Sequence, residues 1–275
     1  MENAAQITAS QLQQALRTQS IPVPSHSWLQ TLVSSSRQQL PLASLIATAR
    51  TRLLASDLTT RNLLDSTYIA EHTFPSSILP TPPNTNNTTI NTEVKETCLG
   101  RDIAVQVLDI ENLNRSRWEQ VEELEAIERG EQTRGRQVIR LPTTTTLTGD
   151  GDDLGVVDES TQSTTTTAMT SGGAATAARE QEKQNKNATH KLVLQDAKGA
   201  KMFALELRRI DRIAVGKLNI GEKMLLRAGT VVARGVLLLE PATCQVLGGK
   251  VELWHKAWVE GRLARLKEEV GADRR

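Results

Sequence analysis

The stretch from Gly221 to Gly249 constrains the fold of this chain more than any other. It reads GEKMLLRAGTVVARGVLLLEPATCQVLGG and contains two apolar runs, Lys223–Arg227 and Thr230–Glu240. Leu- and Val-rich runs separated by an Ala-Gly pair predict two adjacent strands with a tight connection. A bulge is expected at Arg234-Gly235, since glycine lets a strand bend, and Pro241, which has no amide proton, should end the ladder. The stretch therefore predicts the closing half of a small barrel.

Three further strands are predicted upstream of this stretch. Alternating apolar residues predict a half-buried strand near residues 102–110. Two more strands follow His190, joined by a type I turn over Asp196–Gly199. The core-facing side of the second of these is expected to carry Phe203, Leu205 and Leu207. Five short strands, with only a short polar segment between the third and fourth, indicate an α+β protein with a five-stranded, partly open Greek-key barrel of the oligonucleotide-binding (OB) type over residues 98–112 and 190–248.

Helical patterns flank this barrel. Residues 1–74 hold three apolar stripes at helical spacing, the first opened by the capping box Thr8-x-x-Gln11 and the third by Pro41. Short helices cannot bury such stripes alone, so a three-helix bundle with a scaffolding role is predicted. The Pro-, Asn- and Thr-rich residues 75–97 predict a linker, and residues 249–270 predict a C-terminal helix that packs on the barrel or on a partner.

Residues 113–189 form a long insertion between the first two barrel strands. The capping box Ser116-x-x-Glu119 predicts a helix over residues 116–129, with one apolar stripe and Glu-rich remaining faces. Two interpretations of those acidic faces stay open: a solvated surface, or a surface that docks a partner. From Leu141 onward, Thr runs and Asp-Gly repeats predict disorder, because such a segment cannot bury enough apolar area to offset the entropy of ordering.

Charge is distributed unevenly along the 275 residues. The net charge is zero over residues 1–97, −6 over residues 98–189 and +7 over residues 190–275. The basic C-terminal part indicates nucleic acid or acidic partners. Cys98 and Cys244 lack CxxC spacing and favour a reducing intracellular compartment. The chain shows neither a signal-peptide core nor an apolar run long enough to cross a bilayer, so a soluble protein without membrane contact is expected.

The sequence contains no pattern typical of a catalytic site. Its four histidines are scattered without HxxxH or Cys pairing, and no Walker loop, GxGxxG or GxSxG is present. Adjacent carboxylates such as Glu122-Glu123 fall on a predicted exposed helix and lack any sign of burial. We therefore predict a protein that is not an enzyme and carries neither metal nor cofactor.

Single-strand nucleic-acid binding is only partly supported. Barrels that hold single strands stack bases on aromatic side chains inside a basic groove. The candidate phosphate contacts are Lys191, Lys198, Lys201, Arg208, Arg209, Arg212, Lys217, Lys223 and Arg234. The aromatic side chains on which bases would stack are missing, because Phe203, the sole aromatic residue of 190–247, is expected in the core. Weak, salt-sensitive phosphate contact is retained as a hypothesis.

Three segments together resemble one known family. They are LGRDIAVQVLDIENLNRSRWEQVEELEAIERGEQTRGR, HKLVLQDAKG and RGVLLLEPATCQVLGGKVELWHKAW. Residues 98–140 and 190–266, with LLLEP…VLGG as the most specific element, look like the fungal RecQ-mediated genome instability protein 1 family.

The resemblance implies a non-catalytic, nuclear subunit bound to a type IA topoisomerase III and a RecQ-family DNA helicase, in a complex that dissolves double Holliday junctions. In that family the insertion between the first two strands reaches into the topoisomerase gate and favours decatenation. The insertion residues expected to contact the topoisomerase are Arg115, Arg117, Trp118 and Val121. A stand-alone OB-fold module that binds single-stranded DNA, and a purely structural adaptor, are the alternatives.

Overall fold

The structure, a computed structural model, describes residues 8–35, 40–79, 95–130 and 188–271. The predictions for residues 1–7, for residues 80–94 of the linker, and for residues 131–187 with their low-complexity stretch lie outside the described residues.

Within the described residues, the N-terminal unit consists of four helices around one apolar core. They are α1 (Ala9–Arg17), α2 (His26–Ser35), α3 (Leu42–Ala55) and α4 (Ser66–Glu71). The predicted capping box is confirmed: the Thr8 side chain accepts the Gln11 N–H, and the Gln11 side chain accepts the Thr8 N–H at 3.0 Å. Leu12, Leu29 and Leu53 are fully buried in this core. The fourth, shorter helix is an addition to the three predicted.

The remaining described elements are one curled sheet and two helices. The strands are β1 (Thr97–Cys98), β2 (Ile103–Asn112), β3 (His190–Asp196), β4 (Lys201–Glu206), β5 (Lys223–Leu226), β6 (Val231–Ala233), β7 (Val236–Leu239) and β8 (Cys244–Gly248). The helices are α5 (Arg117–Glu128) and α6 (Glu252–Val270). The order of strands across the sheet is β1-β6-β7-β4-β3-β2-β5-β8.

The pairing of these strands is that of an OB-type barrel, which confirms the predicted fold class. Strand β2 lies antiparallel to both β3 and β5, and β4 lies parallel to β7. This matches a barrel whose first strand pairs with its second and fourth while its third runs alongside its fifth. The predicted strand over residues 102–110 is therefore inside the sheet, as the predicted fold requires.

The predicted count of five strands was too low, because the run Thr230–Glu240 is two strands. Arg234 and Gly235 both have positive φ, 50° and 78°, and Ala233 pairs with Val236. Two consecutive left-handed residues form the tight turn of a β-hairpin, so the predicted bulge at this position is wrong. Strands β1 and β8 extend the two edges of the sheet and were not predicted.

The orientation of β4 is also opposite to the prediction. Met202, Ala204 and Glu206 point into the barrel, whereas Phe203 is 53% exposed and Leu207 is 55% exposed. Alternation could not decide the orientation, because apolar side chains occupy both faces of this strand and a shift of one residue exchanges the faces. Glu206 is accommodated inside because His190 Nδ1 lies 2.9 Å from its Oε2 and Arg209 donates to its Oε1 at 2.9 Å.

A buried polar joint connects the helical unit to the barrel. Gln106 on β2 is fully buried; it accepts the Leu58 N–H at 2.9 Å and donates to Asp57 Oδ1 at 2.7 Å and to Gln195 Oε1 at 3.0 Å. Burial raises the pKa of Asp57, but the hydrogen bonds from Gln106 and Thr59 outweigh it and hold that pKa below its usual value. Because unpaired buried amides are costly, this joint favours a single placement of the helices on the barrel.

The β3–β4 turn makes a second connection between the two units. The Gly199 N–H bonds the Asp196 carbonyl at 3.1 Å, as the predicted turn requires. The Asp196 carboxylate is fully buried and accepts the N–H groups of Lys198 at 2.9 Å, Ala200 at 2.8 Å and Phe74 at 2.9 Å. The same side chain therefore closes the hairpin and holds the segment that follows α4.

Lys223 lies fully buried beside the polar joint and donates to the Gly221 carbonyl. Burial lowers its pKa to about 8, with the charges of Asp57 and Glu222 opposing the shift in part. Between that pKa and about 10.5, the unfolded chain binds more protons than the folded chain. Over this range the group therefore makes the folded protein more stable as the pH rises.

Between pH 7.5 and pH 10, the free energy of unfolding of the wild-type chain should rise relative to that of Lys223→Met. We expect the extra rise to be about 2 kcal/mol, because the cost of burying the ammonium disappears as Lys223 loses its proton. Urea unfolding at both pH values measures the difference. Lys198→Met, at an exposed lysine, is the control and should leave the wild-type slope unchanged. Equal slopes for wild type and Lys223→Met would show that Lys223 is not shifted.

The end of β8 approaches α3 closely. Gly248 and Gly249 both have positive φ, 97° and 91°. A Cβ on Gly249 would lie 2.2 Å from the Leu54 carbonyl oxygen, whereas a Cβ on Gly248 meets nothing within 4 Å. The VLGG element therefore includes a point where only glycine permits contact between the barrel and the helices.

Gly249→Ala should destabilise the chain by at least about 2 kcal/mol more than Gly248→Ala. Both substitutions strain the backbone by about 1 kcal/mol, but only the first drives the strand end away from α3. Thermal and urea unfolding of the pair provide the comparison. If the two variants lose the same stability, the close approach is not a constraint on the fold.

Candidate partner-binding surface

Helix α5 leaves the barrel directly from the end of β2. The predicted capping box is present: the Ser116 side chain accepts the Glu119 N–H at 3.2 Å, and the Glu119 side chain accepts the Ser116 N–H at 2.8 Å. Gln120 is buried and donates to the Asn112 and Arg115 carbonyls, both at 3.2 Å. The first turn of the helix is therefore tied to the strand from which it emerges.

Helix α6 holds α5 from the side. Arg262 donates to Gln120 Oε1 at 3.0 Å, and Lys267 pairs with Glu125 at 2.8 Å. Helix α6 is itself fixed to the barrel, since Trp258 donates to Asp109 Oδ1 at 2.6 Å while its ring packs against the barrel core. The two helices and β2 form one continuous surface whose parts are held in place by hydrogen bonds and ion pairs.

The four insertion residues predicted to contact a partner differ in their exposure and in their contacts within the chain. Val121 is 3% exposed and packs inward, and Arg115 is committed to Glu123 at 2.6 Å. Arg117 remains partly exposed while it pairs with Glu111 at 3.0 Å and Glu269 at 2.8 Å. Trp118 is 50% exposed and donates to Glu122 at 2.9 Å.

An accessible aromatic ring is thus framed by charged side chains on a rigid helix. We refer to Arg117, Trp118 and Glu122 as the α5 outer face. Arg115 and Val121 instead hold the helix in place. Binding of a partner at the α5 outer face is a prediction.

The predicted phosphate contacts do not gather into one groove. Lys223 is buried and cannot reach a phosphate. Four others take part in ion pairs or internal hydrogen bonds: Lys191 with Glu111, Arg208 with Glu240, Arg209 with Glu206 and the Ile213 carbonyl, and Arg212 with Glu222. Lys198, Lys201, Lys217 and Arg234 are exposed. Lys198 and Arg234 lie in the β3–β4 and β6–β7 turns, and Lys217 lies in the segment that joins β4 to β5.

One candidate ligand-binding residue was missed. Phe203 stands on the outside of the sheet, and the Lys191 ammonium lies 5.8 Å from the centre of its ring. The sequence feature that could have indicated an apolar outer face here is the run Val236–Leu239, which is apolar at every position and pairs with β4. Such continuous runs are typical of strands that are covered on both faces.

In the part of the chain that the structure describes, no three His, Cys, Asp or Glu side chains come together as metal ligands would. None of the helices in residues 8–35, 40–79, 95–130 and 188–271 is long and apolar enough to cross a membrane.

Comparison with known proteins assigns both units of the chain to the same family. The family model described as "RMI1, N-terminal OB-fold domain" matches residues 79–262, and that described as "RMI1, N-terminal helical domain" matches residues 16–60. RecQ-mediated genome instability protein 1 of Schizosaccharomyces pombe is 36% identical over 73 residues, which is 26% of this chain and 30% of that protein. The aligned region thus spans less than a third of the relative's length.

We expect Trp118→Ala to change the free energy of unfolding by less than about 0.5 kcal/mol, because half of the ring already faces solvent. Val121→Ala should cost roughly 1–3 kcal/mol, because it opens a cavity under α5. Chemical denaturation of both variants measures the difference. A large loss for Trp118→Ala would mean that the ring supports the fold and is not available to a partner.

Proposed function

This chain belongs to the RMI1 family, and on that premise we propose that it is a non-catalytic accessory subunit of a nuclear complex between a RecQ-family DNA helicase and a type IA topoisomerase III. In this proposal the complex separates linked DNA molecules and dissolves double Holliday junctions during homologous recombination. Support comes from the match of the family's OB-fold domain to residues 79–262 and from the relative named RecQ-mediated genome instability protein 1.

The observation that carries the proposal is the position of α5. It lies in the connection between β2 and β3, the first and second strands of the barrel, and it is held there by β2 and α6. A helix that is already ordered loses little conformational entropy when it binds. The α5 outer face is the part of this connection that we assign to the topoisomerase.

The proposed mechanism is a shift of the topoisomerase between its closed and open gate. A subunit that binds the open form more tightly than the closed form favours the open form by the ratio of the two affinities, and by nothing more. A tenfold preference corresponds to about 1.4 kcal/mol. Cleavage and resealing of DNA remain with the topoisomerase, while this chain contributes binding free energy.

A stand-alone single-strand DNA-binding module is the second candidate. The outward position of Phe203 supports this candidate, since an exposed ring on an OB-type sheet can stack on a base. The burial of Lys223 and the ion pairs of Lys191 and Arg212 argue against it, because these side chains are not free to contact phosphates. Tight, steeply salt-dependent binding of oligonucleotides by the chain alone would favour it.

Trp118→Ala should weaken binding of the chain to topoisomerase III of the same organism by tenfold or more and reduce its stimulation of decatenation in proportion. Glu128→Ala, at an exposed position on the last turn of α5, is the matched control and should behave as wild type. Calorimetric titration and a decatenation assay give the two readouts. Deletion of residues 141–187 should leave the stimulation in place.

Two results would contradict the proposal. If the wild-type chain neither binds the topoisomerase nor changes decatenation, the accessory function fails. If Trp118→Ala acts as wild type while deletion of residues 141–187 abolishes stimulation, the α5 outer face is not the site.

A further inference from the structure

The outer face of strands β3, β4 and β7 is apolar and open. Outward residues pair across the strands in two rows, Val193 with Phe203 and Val236, and Lys191 with Leu205 and Leu238. Leu207 continues the outer side just past the end of β4. We call the six apolar residues, Val193, Phe203, Leu205, Leu207, Val236 and Leu238, the apolar sheet face.

This face differs from an ordinary solvent-facing sheet. Antiparallel sheets with one wet side alternate apolar residues inward with polar residues outward. Here the outward positions of β4 and β7 carry Phe, Leu and Val, and Phe203 and Leu207 are more than half exposed. A contiguous exposed apolar patch of this kind, with charged groups around it, is typical of a site for another molecule.

Basic side chains stand at one end of the face. Lys201 opens β4 and Arg234 lies in the turn that leads into β7, and because β4 and β7 run parallel, both residues lie at the same end of the face. Both are exposed, and no ion pair to either is present within the described residues. These two basic residues at the end of the face therefore favour a ligand that has an apolar centre with carboxylates beside it.

The apolar sheet face adjoins the α5 outer face without sharing a residue with it. Lys191 connects the two, because its ammonium lies over the Phe203 ring and pairs with Glu111, which also pairs with Arg117. Phe203 itself lies on β4, the second neighbour of β2, from which α5 emerges, so about 10 Å of sheet separates it from β2 at about 4.8 Å per strand. Partners bound at the two surfaces would therefore meet along β3.

We propose that the apolar sheet face docks an apolar segment flanked by acidic residues on the RecQ-family helicase. The inference rests on the proposed function, which assigns α5 to the topoisomerase and leaves the helicase without a surface. Leu and Val side chains bury area against a peptide, and Phe203 serves as the aromatic anchor that such interfaces favour. Lys201 and Arg234 face the carboxylates.

The composition of the face favours a protein over a nucleic acid. Single strands are held by successive aromatic rings, each stacked on a base. Phe203 is the one aromatic residue among the six, and the five others are branched aliphatic side chains. These side chains cannot stack in this way but fit the apolar side chains of a peptide.

The test measures binding of wild-type chain and variants to purified helicase, to purified topoisomerase III and to a 20-nucleotide oligo-dT. Phe203→Glu should lower helicase affinity by at least tenfold and leave topoisomerase affinity within twofold of wild type. Leu253→Glu, at a residue of α6 that is 80% exposed and lies off the face, is the control and should change neither. Lys201→Ala with Arg234→Ala should weaken helicase binding less, and make it less sensitive to salt.

Phe203 faces solvent, so Phe203→Glu is expected to keep the wild-type circular dichroism spectrum and melting temperature. If its helicase affinity matches wild type, or if oligo-dT or topoisomerase affinity falls instead, the inference is overturned. In those cases the proposed function is still supported if the wild-type chain binds topoisomerase III. If the wild-type chain binds neither protein, the proposed function itself fails.

Discussion

Strand β2 pairs along both of its edges, and the rest of the structure depends on this double pairing. Its first half bonds β5 and most of its length bonds β3, and the whole insertion separates β2 from both of these strands in the sequence. The same strand holds Gln106, which reaches the helical unit, and ends at Asn112, whose carbonyl anchors Gln120 of α5. Loss of β2 from the sheet would therefore detach both the helices and the proposed partner surface.

The connections between the two units are polar as well as apolar. Gln106, Asp57 and Asp196 are satisfied by specific donors and acceptors, and Lys223 keeps a buried amine at a depressed pKa beside them. Such groups contribute less to stability than apolar packing of the same volume would, because their desolvation offsets much of what they gain. Their hydrogen bonds require specific distances and directions, so they fix the helical unit in one position on the barrel. In that position α5 and the apolar sheet face stay accessible.

Local patterns predicted local structure well. The two capping boxes and the β3–β4 turn are set by residues a few positions apart, and each is present in the structure. The strand predicted near residues 102–110 is present as β2, but the prediction that it is half-buried is wrong, because residues 103–107 are buried on both faces and Gln106 bonds to the helical unit. The orientation of β4 could not be predicted, because both of its faces are apolar and the choice is made by the buried partners of Glu206. The turn at Arg234 was missed because arginine rarely takes positive φ. The burial of Lys223 follows from contacts between distant segments, which no spacing in the chain reveals. For Phe203 the continuous apolar run Val236–Leu239 was a signal, but it indicates the outer face only once the pairing of that run with β4 is known.

The central claim is that this chain binds two proteins, the topoisomerase and the helicase, through two different surfaces of one barrel. The most direct measurement is the mass of the species formed when the chain, topoisomerase III and the RecQ-family helicase are mixed, determined by sedimentation velocity. The account predicts one species containing all three proteins in the presence of the wild-type chain, and separate or less stable species without it. A mixture in which the chain stays free while the two enzymes sediment as they do alone would contradict it.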